Sequence, residues 1–213
     1  MKRGALGIVG GLTLVSFASA AGQDPGIIVA AVALPSADAS YHGGTHVFLD
    51  GGARLDCGSH GRFTSSVDPP RAPGTTAIAD YHATFTGELA LDPPHASTAV
   101  VHPVAARAHM VERITFAVRR GDAVVFDTEL VAFDLGESGL PAGVLVRESP
   151  GRVSPGRATI TTLTRGRHRV ESYFDVWLEI SLDGGRSWSP AAAAVRMSIG
   201  PEGVPRRGIS AGG

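Results

Sequence analysis

The chain has 213 residues, 43% of them hydrophobic and 18% charged, and a formal net charge of −1 at pH 7. A weakly acidic chain lacks the basic excess that binds nucleic acid or an anionic membrane surface, so we expect neither as a partner. The length is enough for one domain with a sizeable hydrophobic core.

The first 20 residues have the layout of a secretory signal peptide. Lys2 and Arg3 give a positive start, residues 5–17 are apolar, and the small residues 18–20 form a cleavage site. The apolar run is shorter than the roughly 20 residues needed to span a membrane. We predict a signal peptide over 1–20 and a secreted, periplasmic or extracellular protein with no membrane anchor in the mature chain. An uncleaved anchor is the less favoured alternative.

The mature chain would depend on its hydrophobic core for stability. Cys57 is the only cysteine in the sequence, so no disulfide can form within the chain. A buried, inert thiol is the favoured interpretation, and pairing with another chain stays open. Removing Lys2 and Arg3 from the 19 basic residues leaves 17 against 20 acidic ones, a net charge of −3.

Short apolar runs separated by turn residues predict an all-β domain. The 28 glycines and 14 prolines fall between runs rich in Val, Ile, Thr and Phe. Residues 99–110 come closest to a helical pattern, which Pro103 interrupts. We predict a single-domain antiparallel β-sandwich or jelly roll over 21–202, followed by a flexible C-terminal tail over 203–213. In chain order, the predicted strands cover 26–34, 45–49, 54–57, 79–91, 114–118, 123–133, 144–147, 158–163, 168–182 and 195–199.

The predicted strand around residues 170–182 has the clearest pair of faces. Its even-numbered positions are mostly apolar and should face the core, because side chains alternate along a strand. The odd-numbered positions interleave acids with aromatics and form a candidate ligand-binding face: Glu171, Tyr173, Asp175, Trp177 and Glu179.

Three interpretations of this face are open, and the favoured one is a solvent-facing strand with charge pairs to arginine. The second is sugar binding, in which rings stack on the sugar and carboxylates bind its hydroxyl groups. The third is glycoside hydrolysis, which would need a partner acid from another strand. Asp175 and Glu179 are about 13 Å apart along a strand, whereas glycosidases hold their two carboxyl groups about 5–10 Å apart. We assign no catalytic residue.

Residues 181–188, SLDGGRSW, have the form of an Asp-box, the hairpin motif of sialidase-like propellers. Asp183 begins a turn, Gly184 and Gly185 supply the positive φ that a tight turn demands, and Trp188 should pack back over it. We therefore give these four residues a structural role. The sequence shows no internal repeat, so a propeller is not predicted.

The eight histidines do not predict a metal site. His42 and His46 are four residues apart, with Cys57 and His60 downstream, but they enter a predicted strand, where this spacing does not bring ligands together. The aspartate-containing turns lack the spacing of an EF-hand. We expect histidines dispersed over the surface and turns, no bound metal and no cofactor.

Four stretches resemble a known group of proteins: FDTEL (126–130), VRESP (146–150), SPGRATI (154–160) and SYFDVWLEISLDGGRSWSP (172–190). They resemble an uncharacterised family of exported bacterial proteins, found in planctomycetes and often ending in a PEP-CTERM sorting signal. The resemblance implies export and residence at the cell surface or in the matrix, and it implies no activity. The end of this chain, GPEGVPRRGISAGG, departs from that family because it contains no apolar helix.

Taken together, these patterns predict a secreted, non-catalytic protein with a binding or structural role at the cell surface or in the extracellular matrix. Its partner would be a glycan or another extracellular protein. The alternative is a glycan-binding module or glycoside hydrolase that uses the outer face of residues 170–182.

Overall fold

The structure is a computed structural model that describes residues 26–37, 39–49, 52–92, 98–136 and 139–201. The predicted signal peptide and the predicted tail over 203–213 lie outside the described residues. Within them the chain is all-β, as predicted, with a short 3-10 turn over Thr164–Gly166. The strands are β1 Gly26–Val29, β2 Ala39–His42, β3 Thr45–Val47, β4 Ala53–Gly61, β5 Thr76–Leu91, β6 Val100–Arg120, β7 Ala123–Leu135, β8 Leu145–Glu148, β9 Ser154–Thr162, β10 His168–Val176, β11 Leu178–Ser181, β12 Ser189–Pro190 and β13 Val195–Pro201.

Eight antiparallel strands close into a barrel. Their order is β2, β4, β5, β6, β7, β9, β10 and β13, and β13 pairs with β2 to complete the ring. The predicted sandwich or jelly roll is not confirmed, because the sheet closes on itself. The closure depends on β9 lying between β7 and β10. Alternation along single strands does not reveal which strands become neighbours.

The remaining strands extend the barrel wall. β1 pairs with β10, and β3 pairs with β4. β8 pairs with the end of β7 and with β11, which also pairs with β12. A bridge between Phe48 and Ala191 then joins the segments that follow β3 and β12. Residues 100–110, within the stretch that comes closest to a helical pattern, are part of β6, and β6 pairs with β5 along the full length of β5.

The strand predicted over 168–182 is interrupted at Trp177. The Trp177 N–H donates a hydrogen bond of 2.9 Å to Ser154 Oγ, and its carbonyl accepts one of 2.9 Å from the Ser149 N–H. These contacts replace strand pairing at that residue. The first half, β10, can therefore pair with β9 and β13, while the second half, β11, pairs with β8 and β12.

The two faces of this segment follow the predicted alternation until its last residues. The even-numbered residues from Val170 to Ile180 are buried, and the odd-numbered residues from Glu171 to Glu179 are partly exposed. The pattern breaks at the end, where Ser181 is buried and Leu182 is 43% exposed. Leu182 was predicted to face the core, but the following turn carries its side chain outward.

The barrel interior holds a polar cluster among its apolar side chains. The Tyr41 hydroxyl donates a hydrogen bond of 2.9 Å to Ser172 Oγ, and the Tyr81 hydroxyl donates one of 3.4 Å to Glu112 Oε2. Glu112 is only 2% exposed, and burial raises the pKa of its carboxyl to about 8. The folded protein therefore buries Glu112 in its neutral form at pH 7, because a buried charge would be costly.

Candidate functional site

Arginines cover the predicted ligand-binding face on the outside of β10. Arg196 of β13 lies opposite Asp175, and its Nε and Nη2 each donate a hydrogen bond of 2.8 Å to the Asp175 carboxylate. The same guanidinium lies 3.9 Å from the centroid of the Tyr173 ring. Arg169 donates a hydrogen bond of 2.8 Å to Glu171. These contacts are the charge pairs expected from the favoured interpretation of the face.

Trp177 and Glu179 stand apart from the other three residues of the predicted face, beside a cleft. Arg147 donates hydrogen bonds of 3.2 and 2.9 Å to Glu179 Oε2, and Ser149 donates one of 3.0 Å to Oε1. The Arg152 guanidinium lies 4.1 Å from the centroid of the Trp177 ring. The structure therefore divides the five predicted residues into two groups.

The cleft opens where β7 changes its neighbour. β7 pairs with β9 from Ala123 to Leu130, and then with β8 at Asp134 and Leu135. Between these two pairings, Val131 is an extra residue in the register with β6, which makes a β-bulge. Bulges are common beside functional sites because they end regular pairing and change where side chains point.

The cleft has a volume of about 500 Å³. Its walls are residues 129–134 of β7 and residues 147–153, which comprise the end of β8 and the loop after it. Val131 and Val153 contribute exposed apolar side chains to opposite walls. This volume lies within the range of about 300–1,000 Å³ that small-molecule sites occupy.

Glu148 is the titratable group in the cleft whose pKa departs from its ordinary value. Burial raises the pKa of its carboxyl to about 7. A hydrogen bond of 3.1 Å from Ser154 lowers this pKa, and the carboxylates of Glu129, Glu179 and Asp134 raise it. At neutral pH the Glu148 carboxyl is therefore divided between its neutral and charged forms, and it can donate or accept a hydrogen bond.

Two of the neighbouring acids, Glu129 and Glu179, have arginine partners, and Glu148 has none in the part of the chain that the structure describes. Arg113 forms an ion pair of 2.6 Å with Glu129, and Arg147 forms one of 2.9 Å with Glu179. Within the described residues Glu148 forms no ion pair. A carboxyl group whose pKa is shifted toward neutrality in a cleft is a recognised mark of a functional site. Glu148 is thus the centre of the candidate site.

The turn over SLDGGRSW is built around the Asp183 side chain. Asp183 Oδ1 accepts hydrogen bonds of 3.0 and 2.9 Å from the N–H groups of Arg186 and Ser187, and Oδ2 accepts one of 2.6 Å from the Ser187 hydroxyl. These hydrogen bonds lower the pKa of Asp183 to about 2. Gly184 and Gly185 have φ values of 73° and 89°, in the region that favours glycine.

Trp188 closes this turn. Its indole N–H donates a hydrogen bond of 3.2 Å to the Gly185 carbonyl, and the Arg147 guanidinium lies 3.8 Å from the centroid of its ring. Arg147 also binds Glu179. One arginine thus links the Asp-box turn to the edge of the cleft.

The histidines at 42, 46 and 60 were predicted for the surface or turns, and that prediction is wrong. All three are buried: His46 and His60 occupy inward positions of β3 and β4, whereas His42 lies on the other face of β2, where it bonds to Ser40 and the Gly58 carbonyl. The His60 ring packs edge-on against Phe85 and Phe133, with centroid distances of 4.7 and 5.2 Å. Cys57 is also fully buried, and burial raises the pKa of its thiol.

Glu148 was not among the residues predicted for a site. The predicted strand 144–147 ended one residue before it, and a single acid after a short apolar run is not a distinctive pattern. Only the pairing of Glu148 with Leu178, which brings β8 beside β11, places the carboxyl among other acids. One signal was available in the sequence: Glu148 lies two residues after the apolar Val146, and residues two apart on a strand point to the same face.

No protein-family model, no curated protein and no solved structure matches this chain. Across the described ranges, no helix is long and apolar enough to cross a membrane. In the same part of the chain, no group of three or more His, Cys, Asp or Glu side chains could hold a metal ion.

Proposed function

We propose that this chain is a secreted, non-catalytic binding protein that acts at the cell surface or in the extracellular matrix through the cleft around Glu148. One observation carries the proposal: a carboxyl group with a pKa of about 7 lies in a cleft of about 500 Å³. Export rests on the predicted signal peptide and on the resemblance to exported proteins.

The lining of the cleft favours a glycan as the ligand. Sugar hydroxyl groups both donate and accept hydrogen bonds, and Glu148 near its pKa can do the same. The Asp134 carboxylate adds an acceptor, while Val131 and Val153 offer apolar contacts to the face of a sugar ring. Sites of this kind combine apolar walls with a few fixed polar groups.

The outer face of β10 is a poorer candidate for sugar binding than the cleft. Stacking on a sugar needs an open aromatic face, and Arg196 and Arg152 already stack on Tyr173 and Trp177. A sugar that stacked on Tyr173 would have to displace the Arg196 guanidinium, which also forms an ion pair with Asp175. We therefore locate the glycan site at the cleft, with Trp177 and Glu179 at its edge.

A glycan array probed with the protein tests this proposal. We expect binding by the wild type, loss of binding in Glu148→Ala, and weaker binding in Trp177→Ala, which removes the ring beneath Arg152. Glu171→Ala is the matched control, because it removes an acid from the same side of the barrel away from the cleft. The proposal is overturned if no glycan is bound, or if Glu148→Ala and Glu171→Ala bind equally.

Glycoside hydrolysis is the second candidate, and the pKa of Glu148 favours it. A neutral carboxyl can protonate a leaving group while a nearby carboxylate acts as base or nucleophile. Chromogenic aryl glycosides would reveal this activity, with Glu148→Gln as the inactive variant. If the wild type releases no chromogenic aryl group from these substrates, hydrolysis is excluded and the binding proposal stays intact.

Export has its own test. A reporter fused to the full chain should reach the periplasm or the medium, and a version without residues 1–20 should stay in the cell. Export of the shortened version to the same extent would contradict the signal-peptide prediction.

A further inference from the structure

A second cavity lies at one end of the barrel, separate from the cleft. It has a volume of about 360 Å³, and its floor is formed by Phe116 and Phe126, whose rings meet edge-to-face with centroids 5.5 Å apart. Both rings are buried. We call this cavity the barrel mouth. Eight-stranded barrels are wide enough to hold one small ligand at such a position.

The walls of the barrel mouth are apolar and held in place by the fold. Val32, Val124 and Ile160 line it, and the prolines of loop 68–71 cover one side. Two hydrogen bonds of 3.0 and 2.9 Å between Leu34 and Val67 fix the approach to this loop. The cavity is therefore formed before any ligand arrives.

The rim of the barrel mouth carries more positive than negative groups. Arg71 and Arg119 line it together with a single acid, Asp68. Arg119 forms no ion pair with any described side chain. Arg71 lies 3.5 Å from Asp68, but both side chains are more than three-quarters exposed, so that pair contributes little.

His168 supplies a further polar group without a partner. Its Nδ1 is buried and makes no hydrogen bond within the described residues. Because solvent does not reach this atom, a ligand in the open cavity would not contact it, and the proposal does not depend on it. The cavity thus offers an apolar interior beside a cationic rim.

The two hairpin turns beside the rim strengthen this positive field. The turn between β6 and β7 contains Arg120 and Asp122, and the turn between β9 and β10 contains Arg165 and Arg167. A hydrogen bond of 2.9 Å from the Thr162 N–H to the Asp122 carbonyl holds the turns together. Three arginines thus accompany one acid, in a chain whose net charge is −1.

We propose that the barrel mouth binds an amphipathic anion, a small apolar chain that ends in one carboxylate. The apolar chain would lie on Phe116 and Phe126. The carboxylate would pair with Arg119 at the rim. This proposal is independent of the proposed glycan site, because the two cavities share no lining residue.

Isothermal titration calorimetry with octanoate and octanol tests the proposal on the full chain. The two probes have the same chain length and differ in their head group. We expect octanoate to bind up to about 5-fold more tightly, since an exposed charge pair contributes at most about 1 kcal/mol. Its affinity should fall as salt is raised, because salt screens the exposed rim charges. Equal affinity for the two probes, or no binding of octanoate, would overturn the proposal.

Three variants locate the site. Arg119→Ala should weaken octanoate binding by up to about 5-fold, and Val32→Trp should block it by filling the cavity from a partly exposed loop position. Arg107→Ala is the matched control, because Arg107 lies on the same strand outside the cavity. Identical affinities in Arg119→Ala and Arg107→Ala would contradict the proposed site. A shortened chain that ends at residue 201 is also tested. If it binds octanoate and the full chain does not, the C-terminal segment occupies the barrel mouth, and the proposal is overturned.

Discussion

Ser154 donates a hydrogen bond of 3.1 Å to Glu148, and this contact joins the start of β9 to the end of β8 beside the cleft. The Ser154 hydroxyl oxygen also accepts the hydrogen bond from the Trp177 N–H. One buried serine therefore maintains the interruption between β10 and β11 and adjusts the ionisation of the acid at the candidate site.

Ser154→Ala should affect both properties. The Trp177 N–H would lose its acceptor, so we expect the free energy of unfolding to fall by about 1–3 kcal/mol. The pKa of Glu148 should rise, because the lost hydrogen bond favours the charged form. Urea denaturation and carboxyl NMR titration measure the two effects. Ser65→Ala, at an exposed serine, is the control, and an unchanged Glu148 pKa in Ser154→Ala would contradict the prediction.

Glu112→Gln should change how stability depends on pH. The folded pKa of about 8 lies above the ordinary value of 4.5, so between these values the unfolded chain binds fewer protons than the folded one. The proton on Glu112 therefore contributes its full stabilisation of the folded state below about pH 4.5, and this contribution is lost as the pH rises through 8. The variant should equal the wild type near pH 4.5 and exceed it in stability at pH 9, by an amount on the order of 5 kcal/mol.

Denaturation curves across this pH range check the Glu112 prediction. Glu148→Gln is the matched control, because its effect should develop between the ordinary value of 4.5 and about pH 7 and then stay constant. A Glu112→Gln variant with the same pH dependence as the wild type would show that Glu112 does not titrate in this window.

His60→Phe should protect the protein from acid. Burial lowers the pKa of His60 to about 3, from an ordinary value of 6.5. Neutral His60 therefore contributes its full stabilisation of the folded state above pH 6.5. This contribution is lost as the pH falls toward 3, because His60 binds a proton in the unfolded chain at a higher pH than in the folded one. Phenylalanine keeps the edge-on packing with Phe85 and Phe133 and cannot be protonated.

Melting temperatures at pH 7 and pH 4.5 check the His60 prediction. His60→Phe should lose less stability between these pH values than the wild type does. His102→Gln, at a histidine that is not buried, should behave like the wild type. Equal losses in all three proteins would exclude His60 as a cause of acid sensitivity.

Asp183→Ala should open the Asp-box turn and leave the barrel folded. The Arg186 and Ser187 N–H groups would lose their shared acceptor, so their hydrogen exchange should become faster. Trp188 fluorescence should change as the ring leaves Arg147. Asp122→Ala, in a different turn, should alter neither signal, and unchanged exchange at 186 and 187 in Asp183→Ala would contradict this role of the carboxylate.

Several features could be predicted because they depend on neighbours along the chain. The strand class follows from alternation, the two faces of residues 170–180 follow from a period of two, and the turn at Asp183 follows from local side-chain chemistry. Arginine pairing of the outer acids was also expected, although the partner of Asp175, Arg196, comes from another strand.

The cleft could not be predicted from the same patterns. It requires β7 to leave β9 for β8, and Glu148 to meet Glu129 and Glu179 from two other strands. The burial of His46 and His60 was missed for a related reason: it depends on which face of β3 and β4 the barrel encloses.

The all-β class, the two faces of residues 170–180 and the turn at Asp183 follow from residues a few positions apart in the sequence. The closure of the sheet into a barrel, the point where its wall divides and the ionisation of Glu148 near neutral pH do not. Those outcomes depend on pairing between strands distant in the chain, and on the burial and charge that such pairing brings to one place.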